Sequence, residues 1–174
     1  MIVGILKEPQ GENRVSLLPE QVVALIKKNV QVVVEDGAGH TASAFNEAYT
    51  QAGATIVSRA EALKSDLVLA INPLTDTDVP QLKAGAAILG VYQPLFNVDL
   101  MNTWASKNVC SFSLDMIPRT TRAQSMDVLS SQANIAGYRA VLLASTLLPR
   151  YFPMFMTAAG SIAPAKVLIL GAGV

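Results

Sequence analysis

Apolar residues in this chain fall in short unbroken runs, separated by polar stretches in which apolar positions recur three or four apart. The runs Ile2–Leu6, Val30–Val34, Ala54–Val57, Leu67–Ile71, Ala87–Val91 and Val109–Leu114 predict strands. Between them, Pro19 opens a helical pattern with Val22, Val23, Leu25 and Ile26 on one side. Proline suits the first helical turn, and Lys27-Lys28 suits the negative end of the helix dipole. Shorter helical stretches are predicted over Phe45–Ala52, where Gly53 is the stop, and over Arg59–Leu63, Val79–Leu82 and Val98–Ser106. Strands that are apolar at successive positions are covered on both faces, as in a parallel sheet sandwiched by helices. The fold class is therefore α/β, a doubly wound parallel sheet of the flavodoxin/Rossmann kind, complete by about residue 118.

The rhythm then changes. From Gln124 to Leu148 the chain has helix composition and no proline. Leu129, Ala133, Ala136, Ala140, Leu143 and Leu147 lie on one face. Its alanines, with Gly137 alongside, allow a neighbouring helix to come close. Thr121 and Gln124 match a capping box, and Pro149 ends the helix. At about 1.5 Å per residue the helix is long enough to cross between domains. Arg150–Pro164 reads as a connector, Lys166–Leu170 as a new strand, and Gly171-Ala-Gly173-Val174 as the start of a glycine turn. The expected organisation is an N-terminal domain over 1–123, an interdomain helix and connector over 124–164, and over 165–174 the first strand of a truncated second Rossmann domain.

Composition narrows the function. With 51% apolar residues, 15% charged residues and zero net charge, the chain is neither disordered nor a basic nucleic-acid binder. One cysteine excludes an intrachain disulfide and a cysteine metal cluster; Cys110, in an apolar run, is expected to be a buried strand residue. One histidine, His40, cannot make a histidine metal site, and nothing beside it supports catalysis. No secretory leader is evident, and no run reaches the roughly 20 apolar residues of a membrane span, so direct membrane insertion is not expected.

Three stretches carry chemistry. Gly171 and Gly173 follow an apolar run, as in the turn that cradles a dinucleotide pyrophosphate; an ordinary strand-ending turn fits equally. Pro118-Arg-Thr-Thr-Arg-Ala-Gln-Ser-Met-Asp127 gathers two guanidinium groups, an amide, a carboxylate and hydroxyls at a helix start. Arg119 and Asp127 can pair, and Gln124 can both donate to and accept from a neutral carboxamide such as nicotinamide's. A solvated, capped helix start is the competing reading. Finally, Arg14 follows the first strand, where open parallel sheets bind ligands; it is either an anion-holding residue or plain surface charge.

The segment Ile117–Ala140 closely resembles the NAD(H)-binding region of proton-translocating NAD(P) transhydrogenase α subunits. Gly4-Ile-Leu-Lys-Glu-Pro, Glu12-Asn-Arg-Val, Gln51-Ala-Gly-Ala54, Thr157-Ala-Ala-Gly160 and Gly171-Ala-Gly-Val agree, so the likeness runs over essentially the whole chain. It implies that Gln124 bridges the nicotinamide rings during hydride transfer, supported by an Arg119–Asp127 ion pair. It implies further that Arg119, Thr120, Thr121 and Ser130 contact the dinucleotide. NADP(H) would lie on a partner subunit. A homodimer and a membrane-embedded component are the other implied partners, placing the chain in the cytoplasm at the inner membrane through its partners. Alanine dehydrogenases share the architecture, and Arg14 matches their arginine. However, Ala70 stands where their lysine is expected, and Gly90-Val-Tyr-Gln-Pro lacks their histidine. The alternatives are an alanine dehydrogenase-like fragment and a non-catalytic interaction module. Owning only half of a dinucleotide site, the chain is expected to bind NAD(H) weakly or not at all and to be inactive alone. Its uncovered helix face is expected to drive self-association.

Overall fold

The computed structural model describes residues 1–173 and divides them into two compact units, Met1–Pro118 and a second from Arg119 onward. The first unit contains strands β1 (Ile2–Ile5), β2 (Gln31–Glu35), β3 (Thr55–Val57), β4 (Leu67–Leu69), β5 (Ala87–Gly90) and β6 (Cys110–Ser113). Its helices are α1 (Pro19–Ile26), α2 (Asn46–Gln51), α3 (Arg59–Ala62) and α4 (Val98–Ser106). All strand pairs are parallel, in the order β3-β2-β1-β4-β5-β6. The winding reverses between β1 and β4, leaving a crevice at their carboxyl ends, where doubly wound folds bind ligands. The expected fold class holds, and the predicted strands match within two residues at each end.

Two apolar layers explain the unbroken runs. Val3, Ile5, Val32, Val34 and Leu69 face one way and pack with Val22 of α1 and Tyr49 of α2. Leu6, Val68 and Ile88 face the other way, with Ala62, Leu63 and Trp104. Helix α1 has eight residues, too few to persist alone, and Val22 is its one buried residue. Burying that side chain is worth about 2 kcal/mol. Gly4 is glycine for a steric reason: a Cβ there would lie 2.4 Å from the Ala62 carbonyl oxygen and 2.6 Å from Ser65 Oγ. Its absence lets the end of α3 close on β1.

Cys110 is exposed, not buried as its apolar surroundings suggest. Among the described residues strand β6 is the sheet edge and pairs only with β5, and its Phe112 is 55% exposed.

The second unit opens with a 3-10 turn, Thr121–Met126, followed by α5 (Val128–Leu147). The expected continuous helix from Gln124 is therefore broken at Asp127, whose φ of −76° and ψ of 88° are not helical. The Thr121–Gln124 capping box does not form; Asp127 caps α5 instead. No residue of α5 is buried. The expected connector contains an antiparallel hairpin, β7 (Phe155–Thr157) and β8 (Gly160–Ile162). Residues 163–173 carry no regular structure, and the run Lys166–Leu170 pairs with no strand. A strand is a partnered structure, and the described residues offer this run no partner. Val174, the end of the expected glycine turn, lies outside the described residues.

Candidate functional site

The polar corner ahead of α5 is built from the backbone outward. Thr120 is extended, and its carbonyl accepts from the Ala123 amide at 2.9 Å, which starts the 3-10 turn. The turn ends where the Asp127 amide donates to the Gln124 carbonyl at 3.2 Å. The Asp127 carboxylate then turns back onto the helix. Its Oδ1 accepts from the Ser130 amide at 3.0 Å, and its Oδ2 from Ser130 Oγ at 2.6 Å. These hydrogen bonds from Ser130 hold the Asp127 carboxyl below its ordinary range, with the Arg119 charge contributing least.

Arg119, Thr120, Thr121 and Gln124 are all exposed. The Gln124 side-chain amide has no hydrogen-bond partner among the described residues, so both ends of its dipole are available. The expected Arg119–Asp127 ion pair is not closed in this structure. Among the described residues Arg119 reaches no carboxylate within ion-pair distance, and the carboxylate of Asp127 is engaged by the helix amide and hydroxyl of Ser130. Gly171 adopts φ +98°, a left-handed conformation suited to glycine, and nothing lies within 4 Å of where a Cβ would be on Gly171 or Gly173. Their backbones are open to approach.

The crevice at the ends of β1, β2 and β4 is a second candidate. A cleft of about 470 Å³ is lined there by Lys7, Glu8, Glu35, Arg59, Thr75 and Asp78, among others. Its charges answer one another. Arg59 donates to both oxygens of Asp78 at 2.8 and 2.7 Å and to Glu35 at 2.8 Å. Asp78 is held down to about 2 by that guanidinium and by Thr75. Buried Glu8 accepts from the Ile71 and Asn72 amides and from the Asn72 side chain. Arg14 forks onto Glu12, at 2.8 and 2.6 Å, and depresses that carboxyl to about 2. Arg14, read from the sequence as either an anion-holding residue or surface charge, holds an internal carboxylate. Sequence reading missed the Arg59–Asp78–Glu35 cluster, whose members are far apart in sequence and carry no motif. His40 is exposed and touches Phe45 edge-on, with ring centroids 5.2 Å apart.

Comparison with known proteins shows the family. Residues 4–136 match the family model for the alanine dehydrogenase/PNT N-terminal domain, and residues 140–174 the model for the C-terminal domain. The chain belongs to the alanine dehydrogenase/PNT family. It is 40% identical to NAD(P) transhydrogenase subunit alpha of Haemophilus influenzae, covering 100% of this chain and 34% of that protein. It is 42% identical to the first-part polypeptide of NAD(P) transhydrogenase subunit alpha of Rhodospirillum rubrum, again over 100% of this chain and 47% of the relative. The chain thus spans a third to a half of the length of these relatives. A crystal structure of transhydrogenase from Sinorhizobium meliloti superposes with a TM-score of 0.95 at 38% identity, over 99% of this chain and 52% of that one. Within the family, alanine dehydrogenase 1 of Staphylococcus aureus is more distant, at 28% identity over 82% of this chain and 38% of that protein. The solved L-alanine dehydrogenase, at 22% identity and a TM-score of 0.66, shares the fold.

The family's dehydrogenase branch finds no proton carrier at the positions the resemblance points to. Ala70 is buried, and the Tyr92 hydroxyl donates to its carbonyl at 3.3 Å. Burial pushes the Tyr92 phenol well above its ordinary range.

Proposed function

We propose that this chain is the NAD(H)-binding region of a proton-translocating NAD(P) transhydrogenase, acting in hydride transfer between NAD(H) and NADP(H). The observation that carries the reading is the free, exposed Gln124 carboxamide on an anchored 3-10 turn, within a segment matching transhydrogenase α subunits. The residues fit a nicotinamide. Gln124 can donate to and accept from the ring's carboxamide, while Arg119, Thr120 and Thr121 offer donors to the adjoining ribose and phosphate; the Ser130 hydroxyl, which donates to Asp127, can still accept from a ribose hydroxyl. Gly171 and Gly173 offer bare backbone to the pyrophosphate. When bound, the reduced ring supplies the hydride. The chain's own task is to orient that ring and exclude water from it.

NADP(H) binds a partner subunit in this proposal, and a membrane-embedded component carries the protons. No helix among the described residues is long and apolar enough to cross a membrane, which suits attachment through partners. A second copy of the chain is proposed to cover α5.

The test places residues 1–174 in the corresponding region of the Rhodospirillum rubrum subunit and assembles it with its partners. Gln124→Leu should lower the hydride exchange rate on the order of 100-fold, as expected when a group that orients the reacting ring is lost. Unchanged turnover overturns the proposal.

A further inference from the structure

One side chain ties together the walls of the crevice at the ends of β1, β2 and β4. We propose that the connection from β4 to β5, over residues 73–82, is a strap closed on that crevice, and that Arg59 is the latch that holds it shut. Doubly wound sheets take ligands at this place, so the latch decides whether the crevice is open to one. The role is independent of the nucleotide-binding reading above.

Four elements meet at the guanidinium. Arg59 is the first residue of α3. Its Nε and Nη2 donate to the two oxygens of Asp78 on the strap, at 2.8 and 2.7 Å. Its Nη1 donates to Glu35 at the end of β2, at 2.8 Å, and to the Lys7 carbonyl at the exit of β1, at 3.1 Å. The Lys7 amide donates to the same Glu35 carboxylate at 2.8 Å, so the exit of β1 is fastened twice.

The strap is shaped to move at its tip. Its feet, Leu74 and Val79, are buried in the core beside Leu63 and Trp104. Between them Thr75, Asp76 and Thr77 are exposed, while Asp78 is 3% exposed. The tip holds itself together, since the Thr75 amide donates to Asp78 Oδ2 at 3.1 Å and the Asp78 amide to the Thr75 carbonyl at 3.0 Å. Thr75 and Thr77 on the strap, with Lys7 and Glu35 opposite, line the cleft of about 470 Å³. A buried carboxylate that loses its guanidinium is left uncompensated. With Arg59 removed, Asp78 and Glu35 would repel each other around the vacated place, and the tip would swing toward water without uncovering its feet.

The test uses the whole chain and follows amide hydrogen exchange by NMR. Arg59→Ala should speed exchange at the Thr75 and Lys7 amides on the order of tenfold beyond any change at the Leu6 amide, which donates to the Leu69 carbonyl and reports the sheet. Millimolar methylguanidinium should return both amides of Arg59→Ala to within about twofold of the parent and leave the parent unmoved. Tetramethylammonium, equal in charge but without donors, should restore neither. Arg59→Lys keeps the stem and charge without the fork; this milder variant should speed the same two amides about threefold. Parent-like exchange in Arg59→Ala or Arg59→Lys overturns the latch, since the buried feet alone would then hold the strap. Equal rescue by tetramethylammonium, or no rescue by methylguanidinium, also overturns it.

Discussion

Ser65 and Gly4 meet at the point where α3 closes on β1, and their substitutions have opposite outcomes. Ser65 Oγ is buried and has no hydrogen-bond partner among the described residues. A buried hydroxyl without a partner opposes folding, so Ser65→Ala should leave stability unchanged or raise it by about 1 kcal/mol in urea titration. Gly4→Ala should cost about 2–3 kcal/mol, because its Cβ would meet a backbone carbonyl that cannot give way. The Arg59–Asp78 pair adds a pH dependence. The Asp78 carboxyl lies at about 2 in the fold against an ordinary value of 3.8, a depressed value caused first by Arg59. Its contribution is therefore present above about pH 4 and is lost as pH falls toward 2. Asp78→Asn should flatten the decline of the urea midpoint between about pH 5 and 2.5, and should cost about 2 kcal/mol at neutral pH. That is less than a fully buried pair, since Arg59 remains a third exposed. A parent-like acid slope in Asp78→Asn would assign the slope to other carboxylates.

Elements were legible in the sequence to the degree that their local pattern and their packing agree. Strands β1, β2, β4 and β5 are apolar at successive positions because both faces are covered, and the sequence pattern states that directly. The break at Asp127 was not legible from periodicity, since Thr121–Met126 has ordinary helix composition. What decides there is the carboxylate of Asp127 three residues before Ser130, a cap signal masked by the Thr121–Gln124 pattern just upstream. The hairpin β7–β8 was hidden inside a stretch rich in Pro, Gly and Ser, whose turn residue Gly160 sits at φ +123°. The candidate site's members were proposed by resemblance and by residue type, whereas the engagement of Asp127 with Ser130 depends on coordinates. Helix α3 shows the reverse case. Ser58 and Glu61 form a full capping box, with the Glu61 carboxylate accepting from the Ser58 amide at 3.0 Å. That motif was readable in Ser58-Arg-Ala-Glu61. Four residues of helix depend on it, so Ser58→Ala should cost about 1 kcal/mol by urea titration. An effect below a few tenths would mean that packing of Ala62 alone holds α3.

At the scale of the whole molecule, the unmet demand is the surface of α5. Leu129, Leu143 and Leu147 lie on the face predicted to pack, yet they are 44%, 51% and 73% exposed, with Tyr138 at 70%. This twenty-residue helix has no buried side chain. Isolated helices of that length are marginal in water, so α5 needs a cover to persist. Alanines 133, 136 and 140, between the leucines, leave room for a second helix to approach closely. Two copies of the same face satisfy each other by twofold symmetry, and zero net charge does not oppose the approach. The proposed dimer should therefore appear at micromolar concentration in light scattering. Leu143→Glu, which places a charge in the middle of the face, should weaken association at least tenfold and lower the helix signal in circular dichroism along with it. A monomer whose helix content does not change on dilution would remove self-association as the cover. The covering surface would then have to come from elsewhere, a partner protein or a further segment of the same polypeptide.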